Sequence, residues 1–214
     1  MKKKQLFSLL IIAIIFIQCR KNDPSKATYE VTFCLNWNNN DFPTDYPSNA
    51  HFSKLIGWSH QSENDFFALG TMASDGIKNM AELGNNSALN NELNNKINGG
   101  KGLDLVIGEN LNKGVGTISF KIDVNKENPS VTLATMLAPS PDWYVAVVDV
   151  NLFENESFVK EKTINGLVYD SGTDSGKTFK SSNKETTPKQ PISLITSSPL
   201  GTNPTLCTVT FTKK

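Results

Sequence analysis

Neither sign of charge is in excess. Lys plus Arg number 21, and so do Asp plus Glu. Without a basic surplus there is no electrostatic footprint for nucleic acid. Histidine is scarce: His51 and His60 are the only two, nine residues apart. No further ligand pattern follows them, so a zinc site completed by Asp45 or Asp65 has little support. Both read as packed or hydrogen-bonding loop histidines. No Gly-x-Ser-x-Gly elbow surrounds Ser53 or Ser59, which leaves a hydrolase triad without its nucleophile turn. Apolar residues make up 38%, low for a dense α/β enzyme and ordinary for an all-β domain with long polar loops. There is no internal repeat, and no linker that would split off a second domain.

The N-terminus is a targeting segment. Lys2, Lys3 and Lys4 form a positive region. Leu6 to Ile17 is an apolar run of twelve residues broken only by Ser8. A membrane span needs about 20, so the run suits a secretory signal. It ends at Phe16-Ile-Gln-Cys19, and a cysteine directly after the apolar run looks like a bacterial lipobox. In a lipobox the thiol is lipidated and becomes the new N-terminus. Gln18 stands where a small residue is usual, and Phe16 where Leu is usual. A plain signal peptide or an uncleaved anchor is the alternative. The expected organisation is a lipoprotein signal peptide over 1–19 with lipidation at Cys19, a polar tether over 20–27, and one domain over 28–214. The protein would then be lipid-anchored in the bacterial cell envelope, with the membrane as its first partner.

Cys34 and Cys207 remain. Export permits a disulfide, and the two lie in the first and last expected strands. Cys34 is out of phase with Tyr29, Val31, Phe33 and Leu35, whereas Cys207 is in phase with Val209 and Phe211. If both sets are core faces, the thiols point to opposite sides. A disulfide and two inert thiols stay open as alternatives.

Residues 28–37 alternate as a strand, with Tyr29, Val31, Phe33 and Leu35 on one face. Residues 38–62 read as loop, with Pro43, Pro47 and Gly57. A short helix is expected from Ser74 to Leu83: Ser74 or Asp75 can cap it, Ile77, Met80 and Ala81 form a stripe, and Gly84 can end it. Ser87 to Ile97 repeats that logic with Leu89, Leu93 and Ile97, ending at Gly99-Gly100. From Val115 onward the pattern is β. Ile118, Phe120, Ile122 and Val124 alternate, Val131 to Leu137 alternates again, Trp143 to Phe153 is a long apolar run, and Leu206 to Phe211 is the last strand. Residues 165–198 are rich in Ser, Thr, Gly and Pro. Strands joined by turn-rich connections, with a minor helical insert, suggest an all-β sandwich.

Three carboxylates stand out. Asp142 sits in Ala138-Pro-Ser-Pro-Asp-Trp143. Asp170 and Asp174 sit in Tyr169-Asp-Ser-Gly-Thr-Asp-Ser-Gly176. Gly172 and Gly176 allow the backbone to turn so that Asp170 and Asp174 converge. Pro139 and Pro141 stiffen the loop that carries Asp142. Loops at one end of a sandwich can bring such segments together, and carboxylates that meet need a cation or must take up protons. Ca²⁺, a hard ion favouring oxygen ligands, suits such a set. The alternative is that all three are ordinary turn formers and caps. Trp37, Trp58 and Trp143 read as core or rim packing rather than a sugar platform. Trp143 directly follows Asp142, so alternation should turn its ring away from the ion.

The order of several segments resembles the spondin domain. These are Tyr29-Glu-Val-Thr-Phe33 with Trp37, Tyr46-Pro47, His51-Phe-Ser53, Ala73-Ser-Asp-Gly76, Ala81-Glu-Leu-Gly84, and above all the Ser-Pro-Asp-Trp and Asp-x-Gly-Thr-Asp-Ser-Gly pair. The resemblance covers roughly Thr28 to Phe211. It implies an antiparallel eight-stranded β-sandwich with a small helical insertion, and a calcium site whose carboxylates correspond to Asp142, Asp170 and Asp174. Ser171 stands where the family usually has Ala, a small-for-small change. The resemblance also implies a non-enzymatic surface module for adhesion or ligand binding, with an extracellular glycan, protein or lipid headgroup as partner. The alternative is a calcium-dependent glycan-active enzyme. For that, Glu63, Glu82 and Glu109 are available but share no recognisable arrangement.

Overall fold

The computed structural model describes residues 23–63, 66–202 and 204–214. Cys19, the signal segment and Asp65 lie outside the described residues. Alternation builds β1 (Lys26–Asn36), whose Tyr29, Val31, Phe33 and Leu35 are buried while Cys34 is exposed. Two strands follow in the stretch expected to be loop: β2 (His51–Phe52) and β3 (Ile56–His60). Every residue of β3 is buried. A strand covered on both faces has no alternation to read, which is why periodicity missed it.

Both helices appear in the expected stretches, and the first is set by its caps. In α1 (Asp75–Leu83) the Ser74 hydroxyl accepts from the Ile77 amide, and the helix ends at Gly84 with φ 63°. The carboxylate of Glu92, from α2 (Ser87–Asn98), reinforces this cap. It accepts the Ser74 hydroxyl at 2.7 Å and the Gly76 amide at 2.8 Å. One helix therefore satisfies the open amides at the start of the other.

The remaining strands are β4 (Gly102–Ile107), β5 (Val115–Asn125), β6 (Ser130–Ala138), β7 (Trp143–Asn151), the hairpin β8 (Phe153–Glu154) and β9 (Ser157–Phe158), β10 (Glu161–Asp170), β11 (Ser193–Leu194) and β12 (Cys207–Lys213). Hydrogen-bonded neighbours run β4-β3-β6-β7-β10-β12-β1-β5, every pair antiparallel. These eight strands match the expected number. The strand β10 belongs to both layers. Its residues 161–166 pair with β12, and residues 167–170 pair with β7. The open edges of β4 and β5 also meet, where the Asp104 carboxylate caps the Asp123 amide at 2.9 Å. Capping an edge amide in this way blocks strand addition there.

Two cores result. Between the layers pack Tyr29, Val31, Phe33, Trp37, Leu133, Val145, Val209 and Phe211. On the outer side of the second layer, Trp58, Ala134, Met136 and Tyr144 pack against Ile77, Met80, Leu89 and Leu93 of the helices. All nine residues of β6 are buried because it is covered from both sides. Trp37, Trp58 and Trp143 are all core residues. His60 is a buried strand residue rather than a loop one, held by the Gln61 carbonyl and the Thr132 hydroxyl. His51, at the start of β2, reaches the Asn49 carbonyl.

The register separates the two remaining thiols. Leu35 lies opposite Cys207 and Cys34 opposite Thr208, so the sulfurs emerge on opposite faces and both cysteines are free. Burial pushes the Cys207 thiol up to about 12, which makes it inert. Its sulfur occupies the space a side chain on Gly166 would need. A Cβ at 166 would stand 2.1 Å from Cys207 Sγ and 3.2 Å from the Ala146 carbonyl oxygen. This is also the last residue of β10 paired with β12 before the strand changes layers. Gly166→Ala should therefore lower unfolding free energy by about 1–3 kcal/mol through overpacking. Adding Cys207→Ala should restore part of that loss in denaturant titrations. A Gly166→Ala protein with an unchanged midpoint would refute the close packing.

Candidate functional site

Antiparallel pairing places the start of β7 and the end of β10 side by side, with Trp143 opposite Asp170. Asp142 precedes Trp143 in a turn where the Trp143 amide donates to the Ser140 hydroxyl at 3.1 Å. The Asp142 side chain has no exposed surface. Its Oδ2 accepts from the Ser171 hydroxyl at 2.9 Å, the Thr173 amide at 2.7 Å and the Asp174 amide at 3.0 Å. Its backbone carbonyl takes the Ser171 amide. Asp142 thus holds the whole 171–174 loop. Its Oδ1 is buried with no hydrogen-bond partner among the described residues.

The other two carboxylates are held differently. Asp170 Oδ1 accepts the Gly172 amide at 2.7 Å, and Oδ2 accepts the Trp143 indole N–H at 3.3 Å. Asp174 commits both oxygens to backbone amides, Oδ1 to Gly176 at 2.7 Å and Oδ2 to Lys184 at 2.8 Å. The three charges are close enough to repel one another. Among the described residues, however, no three Asp, Glu, His or Cys side chains gather tightly enough to hold a metal as they stand. The structure brings Asp142 and Asp170 to one polar centre and places Asp174 beside it as an anchor for residues 183–185. Both the cation-centre reading and the turn-and-cap reading find support in this arrangement. The fit to a cation rests on Asp142 Oδ1, a buried acceptor lacking a donor.

Three details depart from the sequence reading or went unread in it. The Trp143 ring is not turned from the acidic centre. Asp142 lies in the turn rather than in β7, and Trp143 faces its cross-strand neighbour Asp170. Ser171, read as a neutral small residue, donates to Asp142. Thr173 supplies both its amide and its hydroxyl. A polar residue where the family has Ala was the available signal for Ser171.

Gly172 shapes the loop. It has φ 74°, and a Cβ there would stand 2.1 Å from the Gln190 carbonyl oxygen. No other residue type meets both conditions without strain.

Burial raises the Asp142 carboxyl, and the amide donors only partly offset it. Burial and then the Asp142 charge raise Asp170 from 3.8 to about 6. The same carboxylates, after burial and Tyr169, help hold Tyr144 well above its usual range. A carboxyl raised in the folded state binds more protons folded than unfolded. Its contribution is full below about pH 4 and is lost as pH rises through about 6. In chelator, the stability of the parent relative to Asp170→Asn should therefore fall between pH 4 and 7, by on the order of 2 kcal/mol after screening. A difference that stays constant across that range in denaturant unfolding would contradict the raised carboxyl.

A cavity of about 730 Å³ lies elsewhere. It lies around the start of β1 and the end of β12, at the opposite end of the sandwich. On the side of the acidic end, a polar hollow of about 360 Å³ opens beside Asn39, Tyr46 and Lys180. Glu63, Glu82 and Glu109 lie in the turn after β3, in α1 and in the loop after β4.

The spondin N-terminal family model (Spondin_N) matches residues 27–205. Spondin-2 from Homo sapiens is 31% identical over 176 residues, covering 80% of this chain and 53% of that protein. Spondin-1 from Xenopus laevis is 34% identical over 180 residues, and Spondin-1 from Bos taurus 33%. Each of those alignments covers 80% of this chain and 22% of the relative. The chain thus spans about half the length of Spondin-2 and about a fifth of Spondin-1. The final strand runs past the matched segment to Lys213 and sits at the centre of the first layer, between β1 and β10. By motif, fold and match across most of its length, the chain belongs to the spondin-domain family.

Proposed function

We propose that the protein is a non-enzymatic spondin-domain lipoprotein of the bacterial cell envelope, an adhesion or ligand-binding module with a calcium ion at its acidic end. The single observation that carries the calcium reading is the buried, donorless Oδ1 of Asp142 beside a second carboxyl raised to about 6. Asp142 and Asp170 would supply the charged oxygens, with Asp174 the third carboxylate of the set. A bound Ca²⁺ would neutralise the repulsion and offer a coordination position to a carboxylate or phosphate on a partner. The residues themselves do the positioning: Asp142 fixes the 171–174 loop, and Trp143 orients Asp170.

Strand directions support an outward-facing role. The chain enters at the start of β1, while Asp170 ends β10, which runs parallel to β1. Eleven residues of β1 span about 35 Å between the two ends. A lipid on Cys19 would hold the domain from one pole and leave the acidic pole toward a glycan, a protein or another lipid surface. No helix among the described residues is long and apolar enough to cross a membrane; what supports anchoring at Cys19 is the lipobox-like Phe16-Ile-Gln-Cys19 after the apolar run. At an affinity of about 10⁻⁴ to 10⁻³ M, typical of extracellular modules, about 1 mM calcium would add roughly 0.4–1.4 kcal/mol.

Calorimetric titration of chelator-stripped protein should show saturable calcium binding, weakened at least about tenfold by Asp142→Asn and strongly by Asp174→Asn, since each removes one charged ligand. Equal titrations of parent and both mutants would refute the assignment. Cys19→Ser should move the protein from the membrane pellet to the soluble fraction, and a mutant that still pellets would favour an uncleaved anchor.

A further inference from the structure

The 730 Å³ cavity at the N-terminal pole carries charges of both signs. Asp104 and Asp123 line it together with Lys26 and Lys213; Glu156 and Lys214, the latter paired with Glu30, line it as well. Leu103, which is 37% exposed, and Phe158 add apolar wall. Part of the polar lining is already committed. Thr28 donates to Asp123 Oδ1 at 2.5 Å, and Asp104 Oδ2 takes the Asp123 amide. This holds both carboxylates in place and leaves one oxygen of each uncommitted. Neither Lys26 nor Lys213 is in an ion pair among the described residues. A site with fixed carboxylates and available ammonium groups fits a small zwitterion with a primary amine at one end and a phosphate at the other.

The position of the cavity narrows the source. Asp23, three residues before β1, also lines it. Cys19 is four residues upstream, and four residues reach at most about 14 Å. The headgroup layer on each side of a bilayer is roughly 5–8 Å deep. A lipid on Cys19 would therefore bring the mouth of this cavity into or against the headgroups. From this geometry we infer that the cavity takes the headgroup of an aminophospholipid of the phosphoethanolamine class. The ammonium lies against Asp104 and Asp123, and the phosphate lies against Lys26 and Lys213. The lipid source rests on the anchoring proposed above; the headgroup chemistry does not. Occupation would fix the domain upright on its membrane, with the acidic pole turned away.

The test is a titration of the full chain with O-phosphoethanolamine, followed through the backbone amide resonances of Asp104, Asp123 and Lys213. Saturable shifts are expected. They should weaken about threefold in Lys213→Ala, the weight of one screened ion pair, and at least as much when O-phosphocholine replaces the probe, because its quaternary nitrogen has no N–H to donate. Lys213 is exposed at the end of β12, so its truncation leaves the core intact. Absent shifts, or equal shifts with both probes, would overturn the site whether or not Cys19 is lipidated. Binding of the free headgroup without preference for phosphatidylethanolamine over phosphatidylcholine vesicles would overturn the lipid source. Pelleting of the parent and release of Cys19→Ser report on the anchor separately.

Discussion

Asp142 is fully buried, and one of its carboxylate oxygens gathers the donors of a loop about thirty residues further along the chain. Burying a carboxylate is costly unless donors or a cation answer it. Two amides and two hydroxyls answer Oδ2; nothing described answers Oδ1. The Oδ2 bonds fix the 171–174 loop against the β6–β7 turn, while burial and then the Asp142 charge raise the neighbouring Asp170. A cation at Oδ1 would answer the buried oxygen and ease the repulsion between the two carboxylates, which is the physical case for calcium at this pole. Asp174 extends the arrangement outward. Its oxygens tie Gly176 and Lys184, so the segment beyond the loop is held to the same centre.

The sandwich makes this possible through one strand. Because β10 leaves the first layer at Gly166 and joins β7 from Leu167, its last residue arrives beside Trp143 rather than at an open edge. The same direction of travel sets the two poles apart. The chain enters at the end where β12 finishes, and the acidic loops close the other end. A module held at its entry pole presents the acidic pole outward without any hinge or linker rearrangement. The helical layer lies on the flank of the second sheet, where Glu92 locks the start of α1.

Much of this was legible in the chain. One-sided burial writes itself as alternation, so β1, β5 and β12 could be read directly. The Ser74 and Gly84 signals bounded α1. What stayed hidden was burial on two faces, which erased the period of β3. The layer change of β10 was also hidden: a Gly and an Asn stand in mid-strand, and the inward face alters along its length. The three aspartates were legible as a group through their motifs. Their division of labour was not, because it depends on which amide each oxygen meets. The Trp143–Asp170 contact was misread for a related reason: alternation along one strand says nothing of the neighbour across the ladder.

The most direct measurement uses Trp143 itself, whose indole N–H touches Asp170. Terbium, a luminescent stand-in for calcium, should emit when the indole is excited and the ion is seated at the Asp142–Asp170 centre. Saturable sensitised emission that calcium displaces and that Asp142→Asn abolishes is the expected result. Emission that is absent, or that persists unchanged in Asp142→Asn, would contradict it and leave the buried carboxylate a purely structural pin.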